Sequence, residues 1–251
     1  MSLKFSFKND KFSLKKLNLP TRYYLFNEEE NFIKLLNIGE GIFPKDRIKT
    51  NFKLDNSNLI ITTESATKIY LSNSKYYGIN YINIDIRNSS NLEFLNDELI
   101  LYKGSKFIQT FRLNYDVSST FFYTDILSNG RTYENFDFLN MKIKNLFSEN
   151  KKCEYLEKFD VSGTMLKDYI KRKNSSTNLF AKVYIKTLDN ENFLDVLNKN
   201  KFTTFTYSKS KKLIIGVLST ENMAVLKTQI FKVWNIYRDA LGKEKFDMGK
   251  Q

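Results

Sequence analysis

Apolar and polar residues alternate with a period of two through most of this chain, the pattern of strands with one face turned to a core. Leu3, Phe5 and Phe7 alternate with Lys4, Ser6 and Lys8. Tyr23, Tyr24 and Leu25 predict a second strand ending at the acidic cluster Glu28, Glu29 and Glu30, and Phe32 to Leu36 form an apolar run. Asn37-Ile38-Gly39-Glu40-Gly41 interrupts it as a loop whose glycines fit positive φ or a close backbone approach. Phe52 and Leu54 lead through the polar turn 55–58 to Leu59, Ile60 and Ile61. The clearest alternation is Tyr81-Ile82-Asn83-Ile84-Asp85-Ile86-Arg87. A second polar turn, 88–91, then leads to Leu92-Glu93-Phe94-Leu95, so turn and strand recur as in stacked β-layers. Further strands are predicted at 99–102, 107–117, 120–127, 136–147 and 154–161, with a turn at Ser128-Asn129-Gly130.

The pattern changes after residue 161. Residues 162–178 read as a connection with a helical turn around Leu166 to Ile170. Val183 to Thr187 is a strand, and Asp189 caps a short helix, Glu191 to Asn198. Phe202 to Tyr207 and Leu213 to Leu218 form a hairpin around residues 208–212. Met223, Leu226, Ile230, Trp234, Tyr237 and Leu241 recur at spacings of three and four, a helix with Ser219 or Thr220 as N-cap and Gly242 at C′. The expected fold is mostly β, with layered, β-helix-like sheets and two α-helices near the C-terminus, in a single domain spanning 1–251.

Composition narrows the chemistry. There is no histidine and one cysteine, Cys153. That excludes a Ser-His-Asp or Cys-His site, an ordinary zinc site, a tight nickel cage and an internal disulfide. Forty basic against 28 acidic residues give a net charge of +12. The basic residues are mostly scattered lysines accompanied by much Asn, Ile, Phe and Tyr, a mixture that A/T-rich coding also produces. Dense groups such as Lys171-Arg172-Lys173 and Lys209, Lys211 and Lys212 read as solvated turns. No apolar run approaches the length of a membrane span and the N-terminus lacks a signal-peptide core, so a soluble cytoplasmic protein with no membrane partner is expected.

One stretch breaks the alternation. Thr62-Thr63-Glu64-Ser65-Ala66-Thr67-Lys68-Ile69-Tyr70 leaves a strand for small, hydroxyl and charged residues before an apolar trace resumes. From the residues alone it is a strand, turn and strand, or a strand end at which Thr67 and Lys68 face a partner or polar channel. It resembles the Thr-Thr-x-x-Ala-Thr-Lys-x-Tyr pattern of the urease accessory protein family UreD, also called UreH. Further likenesses follow in chain order. Gly41 and Asp46 match two positions of a Gly-Gly-x-x-Gly-Gly-Asp loop, in which Glu40 and Pro44-Lys45 replace glycines. Leu92-Glu93-Phe94-Leu95 is similar to Leu-Glu-x-Leu-Pro, with Asn96 in place of proline. Gln109 and Leu113 follow, and Asp125 stands at the family's spacing from Gly130-Arg131. Glu134 and Phe136 stand in for Gly-Glu-x-Phe, two residues early, and Trp234 and Arg238 form Trp-x-x-x-Arg after the strand Ile215 to Leu218.

The resemblance implies a maturation factor for the nickel enzyme urease, not an enzyme. Its implied partners are the apo-urease subunits, UreF and the GTPase UreG. Nickel is the implied transient cargo, passing through the protein's interior, with no permanently bound cofactor. A chain without histidine offers mainly oxygen ligands, which hold nickel weakly enough to release it. Asp46, Asp125 and Glu157 are the candidate carboxylates, the first two from the motifs and Glu157 from no motif. Thr67, Lys68 and Arg131 are the candidate lining or supporting residues. Each carboxylate has an alternative as a surface or turn acid. Arg131 either holds Asp125 or another acid, or is a solvated turn residue. The alternative function is a basic nucleic-acid-binding β protein, with nucleic acid ranked behind urease. A carboxylate-only enzyme ranks third, because no spacing singles out a facing acid pair.

Overall fold

The computed structural model describes residues 1–37, 39–173 and 175–249. Ile38, in the predicted loop 37–41, and Asn174, in the predicted connection 162–178, lie outside the described residues. Strands β1 (Ser2–Lys8), β2 (Lys11–Asn18), β3 (Thr21–Phe26), β4 (Phe32–Asn37), β5 (Arg47–Asp55), β6 (Asn58–Thr63), β7 (Thr67–Ile69), β8 (Gly78–Arg87), β9 (Asn91–Leu101), β10 (Lys106–Tyr115), β11 (Thr120–Ser128), β12 (Asn140–Glu149) and β13 (Lys152–Val161) precede helix α1 (Gly163–Arg172). After it come β14 (Leu179–Lys186), α2 (Asn190–Lys199), β15 (Phe205–Tyr207), β16 (Ile214–Thr220) and α3 (Met223–Ala240).

From β4 to β12 the chain winds as a solenoid, each coil adding one strand to each of two facing sheets. One sheet runs β13-β12-β10-β8-β5-β1-β2, the other β15-β16-β14-β11-β9-β6-β4-β3, with β7 also on β9. Within the coils the pairings are parallel, as in β5 with β8 and β8 with β10, or β6 with β9 and β9 with β11. The recurring polar turns stack on one another. Ser57 N–H donates to Ser90 Oγ at 3.1 Å, Asn91 N–H to Ser57 O at 3.1 Å and Thr120 N–H to Ser90 O at 3.0 Å. Asn56, Asn88 and Ser89 take positive φ there, which Asn tolerates through local hydrogen bonds.

Between the sheets lies an aromatic core. Phe111 stacks on Tyr123 with ring centroids 3.8 Å apart, and Phe5 on Phe52 at 4.9 Å. The second sheet is covered on its other face by α2 and α3 through Leu197, Leu226, Ile230, Val233 and Trp234. β9 therefore buries both faces. Its Leu92 and Phe94 join the inter-sheet core, and Leu95 joins the helix side.

Glu93 also points to the helix side, fully buried. Its Oε2 accepts from Trp234 Nε1 at 2.6 Å and Arg238 Nη1 at 2.7 Å, and its Oε1 from Lys243 Nζ at 3.1 Å. Arg238, also without exposure, bonds Glu30 as well and donates through Nε to Glu244 O at 2.7 Å. Two segments singled out in the sequence, Leu92 to Leu95 and the Trp234–Arg238 pair, thus meet around one carboxylate.

The mostly β fold and the two C-terminal helices stand as expected, including Asp189 as N-cap of α2 and Gly242 at φ 66° beyond α3. Several boundaries differ. The N-cap of α3 is Asn222, whose Oδ1 accepts from Ala224 N–H at 2.9 Å and Val225 N–H at 3.2 Å. Ser219 and Thr220 cannot serve, because β16 still pairs them with Phe180 and Leu179. The connection after residue 161 forms a third helix, α1, capped by Ser162 Oγ accepting from Met165 N–H at 3.2 Å. Gly163 lets its start press on the chain: a Cβ there would lie 1.7 Å from Phe136 O. Residues 92–95 and 99–101 belong to one strand, which ends before Tyr102, and Phe136 precedes β12 in a turn with φ 53°. β2 went unpredicted because this edge strand has few buried positions.

Glu93→Ala leaves Arg238 buried without its inner partner. Breaking such a pair costs about 3–5 kcal/mol, and denaturant unfolding should show a loss of that size. Glu30→Ala, on a partly exposed acid, should cost clearly less.

Candidate functional site

The alternation that builds the sheets also puts polar side chains between them. On β5, β8 and β10 the inward positions include Thr50, Asn80 and Gln109, each in line with the apolar residues of the core. Facing them from the second sheet are Asn96 of β9 and Asp125 of β11. These residues line a cavity of about 150 Å³ between the sheets. Its mouth is formed by Gly39, Glu40, Gly41 and the stretch Ser65 to Lys68.

Gly41 explains how the mouth is built. Its φ is 152°, and a Cβ would fall 2.3 Å from Lys68 O. The loop lies directly on the Thr67–Tyr70 stretch, where Ile42 N–H donates to Lys68 O at 2.8 Å and Tyr70 N–H to Ile42 O at 2.9 Å. Phe43 stacks on Tyr70 at 4.4 Å, and Tyr70 Oη donates to Glu40 Oε2 at 3.3 Å. Two of the sequence motifs are therefore one structural unit at the cavity entrance.

Asp125 is the carboxylate at depth. Gln109 Nε2 reaches its Oδ2 at 3.3 Å, and Asn96 Nδ2 its Oδ1 at 3.3 Å. Asn80 Nδ2 donates in turn to Gln109 Oε1 at 3.4 Å, so amides from both sheets converge on the acid. Burial pushes the Asp125 carboxyl above the ordinary aspartate range, against the pull of its hydrogen-bond donors, and the charge of Glu157 raises it further. A register break between Thr124 and Ile126 accommodates one extra residue of β9 beside it.

The polar seam continues beyond Asp125 to Glu157 on β13. Tyr184 Oη donates to Glu157 Oε2 at 2.6 Å, Tyr155 Oη donates to Oε1 at 3.2 Å, and Lys182 forms an ion pair with Oε1. Asn145, opposite Glu157 in register, donates through Nδ2 to Tyr184 Oη at 3.0 Å. Burial first, then the Glu157 charge, pushes the Tyr155 phenol up to about 12 and Tyr184 higher still. Both phenols are thus held as donors to Glu157 at neutral pH.

The predicted residues separate into three groups. Asp125, Thr67 and Lys68 line the cavity, and Glu157 lies farther along the same seam. Asp46 is placed in the turn before β5, where Oδ2 accepts from Phe43 N–H at 2.9 Å, and it does not line the cavity. Arg131 pairs with Glu134 rather than Asp125, with Nη2 2.6 Å from Oε1, and its guanidinium lies 4.3 Å from the Tyr102 ring centroid. Sequence reading missed Asn80, Asn96, Lys182 and Tyr184. The available signal was a polar residue at an inward position of an otherwise apolar alternation, as Asn80 is relative to Ile82, Ile84 and Ile86. Among the described residues no group of three or more His, Cys, Asp or Glu side chains could hold a metal ion together, and no helix is long and apolar enough to cross a membrane.

Comparison with known proteins adds independent findings. Residues 19–248 match the family model described as UreD urease accessory protein. The chain is 64% identical over 251 residues, covering 100% of both sequences, to the urease accessory protein UreD of Aliarcobacter butzleri (strain RM4018). It is 34% identical over 118 residues to UreD of Bacillus sp. (strain TB-90), covering 45% of this chain and 43% of that one. Over 143 residues it is 33% identical to UreD of Staphylococcus aureus (strain bovine RF122 / ET3-1), with 56% and 51% covered.

The raised Asp125 carboxyl sets a pH dependence. Its folded-state pKa lies above the ordinary value of 3.8, so the folded chain holds the proton more firmly than the unfolded one. Stability from this group is then greatest below the ordinary value and is lost as pH rises through the folded-state pKa. Asp125→Asn should remove that loss. Unfolding in denaturant from pH 4 to 7 should show the variant gaining on the wild type as pH rises.

Proposed function

The chain belongs to the UreD urease accessory protein family and serves urease maturation without being an enzyme, and from that premise we propose that it carries nickel through the seam between its two sheets. In this reading it binds the apo-urease subunits in the cytoplasm, recruits UreF and the GTPase UreG, and hands the metal on to the urease active site. The observation that carries the proposal is a cavity in which Asn80, Asn96 and Gln109 stand among apolar side chains such as Ile48, Ile82 and Phe94, entered beside Thr67 and Lys68 and leading to Asp125.

The donor set suits cargo better than a resident ion. Amide and carboxylate oxygens bind a borderline metal less tightly than imidazole or thiolate, and the chain has no histidine, with Cys153 exposed. Asp125 supplies charge at depth, while Gln109, Asn96 and Asn80 supply neutral oxygens along the way. Glu157 with Tyr184 extends the route toward β13. Lys68 and Thr67 shape the entrance, and Gly41 keeps the loop close enough to form it. Asp46 acts indirectly by closing the Phe43 turn next to that loop. Arg131, tied to Glu134 and Tyr102, supports the wall behind Tyr70.

Co-expression of the urease subunits with UreF and UreG tests this directly. Omitting this chain should abolish nickel-dependent urease activity, and including it should yield a co-purifying complex. Asp125→Asn should keep the complex yet lower activation at least tenfold, whereas Asp46→Ala should lower it less. Full activation by Asp125→Asn within an intact complex would rule out this route.

A further inference from the structure

Lys182 carries a charge opposite to that of the carboxylates around it. It stands directly across from Asp125 in the antiparallel pairing of β11 with β14. Residues so opposed on one sheet face have Cβ atoms about 4.5–5.5 Å apart. Its ammonium is paired with Glu157 on the facing sheet. Lys182 therefore starts beside one acid of the seam and ends on the other.

Oxygen atoms cluster around its partner Glu157. Glu157 Oε2 takes the Tyr184 hydroxyl at 2.6 Å. Asn145 spends its Nδ2 on the same hydroxyl at 3.0 Å, and its Oδ1 is buried with no hydrogen-bond partner. Asn145 itself is only 1% exposed, so bulk water does not satisfy that oxygen. An amide oxygen held in the interior without a donor costs stability, and it suits a cation that binds through oxygen. Lys182 also has somewhere to go. Its Nζ already lies 4.0 Å from the Phe159 ring centroid, and its side chain is 27% exposed, so it can swing outward without crossing the core.

We infer that Lys182 is a built-in stand-in for a divalent cation: its ammonium holds the Glu157 carboxylate beside the open Asn145 amide oxygen, yields to an arriving metal ion, and expels that ion on its return. This rests on the passage reading and specifies how the passage lets go. Glu157 with the ammonium carries no net charge. A dication replacing the ammonium takes the site to +1, whereas both cations together would leave it at +2. Exchange is favoured over joint occupancy, so cargo is held only while Lys182 is withdrawn.

Titration of the full chain with nickel sulfate, followed by calorimetry, tests the inference. Lys182→Met should bind nickel at least tenfold more tightly than the wild type, and adding Glu157→Gln to it should remove the gain. Equal or weaker binding by folded Lys182→Met, or no nickel-dependent heat from either protein, overturns the inference. If the variant does not fold, the wild type still decides. Acetylation of Lys182 by an amine-reactive ester, read by mass spectrometry, should be at least threefold faster with saturating nickel. An unchanged or slower rate overturns the inference. Tighter binding by Lys182→Met together with normal urease activation by Asp125→Asn would keep the exchange site and discard the route.

Discussion

A carboxylate without access to water ties the helical layer to the solenoid. Glu93 sits on β9, a strand buried on both faces, and gathers Trp234, Arg238 and Lys243 from α3 and the segment after it. Asn91, two residues earlier, extends the same network by donating to Tyr237 Oη at 2.6 Å. Burying ions is expensive, and a well-packed apolar contact could match the net stability. What the ionic arrangement adds is geometry. Trp234 and Arg238 have directional donors, and both address one oxygen of Glu93. The register of α3 on the sheet is thereby fixed, whereas apolar packing alone tolerates sliding.

That fixed outer layer bears on the cavity on the other side of the sheet. β9 and β11 present alternate residues to the two faces, so Glu93 and Leu95 toward the helices set Phe94 and Asn96 toward the cavity. A one-residue slip would exchange them and put Asp125 among the apolar side chains of Leu226 and Ile230. Buried polar networks are costly when partly satisfied and specifying when complete. The seam leans on this distinction. Asp125 is supplied from both sheets by Gln109 and Asn96, whereas Asn145 Oδ1 is left open.

Period-two alternation made much of this visible beforehand. Tyr81 to Arg87 reads as a strand because one face is apolar and the other is not. β9 reads as two fragments because both its faces are buried, so Asn96, Asp97 and Glu98 look like a break rather than a bulge beside a cavity. α1 reads as a single turn because its sequence is largely polar, with Leu166 and Ile170 packing inward. Asp125 could be picked out by its spacing to Gly130-Arg131. Lys182 could not, since it is one of forty basic residues. Only the register opposite Asp125 and the facing Glu157 give it meaning. Such relations between sheets have no periodicity to betray them.

The net charge of +12 takes on a different sense beside this interior. A dication approaching from bulk solvent meets a surface of its own sign, an unfavourable field screened only over about 8 Å at physiological ionic strength. Inside, the sign reverses at Asp125 and Glu157. On the passage reading, this arrangement disfavours loading from solution and favours transfer from a docked partner that already covers the entrance. Glu40 at the mouth, bonded to Tyr70, supplies the first negative charge on such a path. The same logic disfavours leakage. An ion displaced by Lys182 returns to a surface of net positive charge, so its direction is set by whichever partner offers stronger ligands. Urease maturation would then draw its directionality from ligand strength outside this chain, with the seam contributing weak oxygens and a competing ammonium.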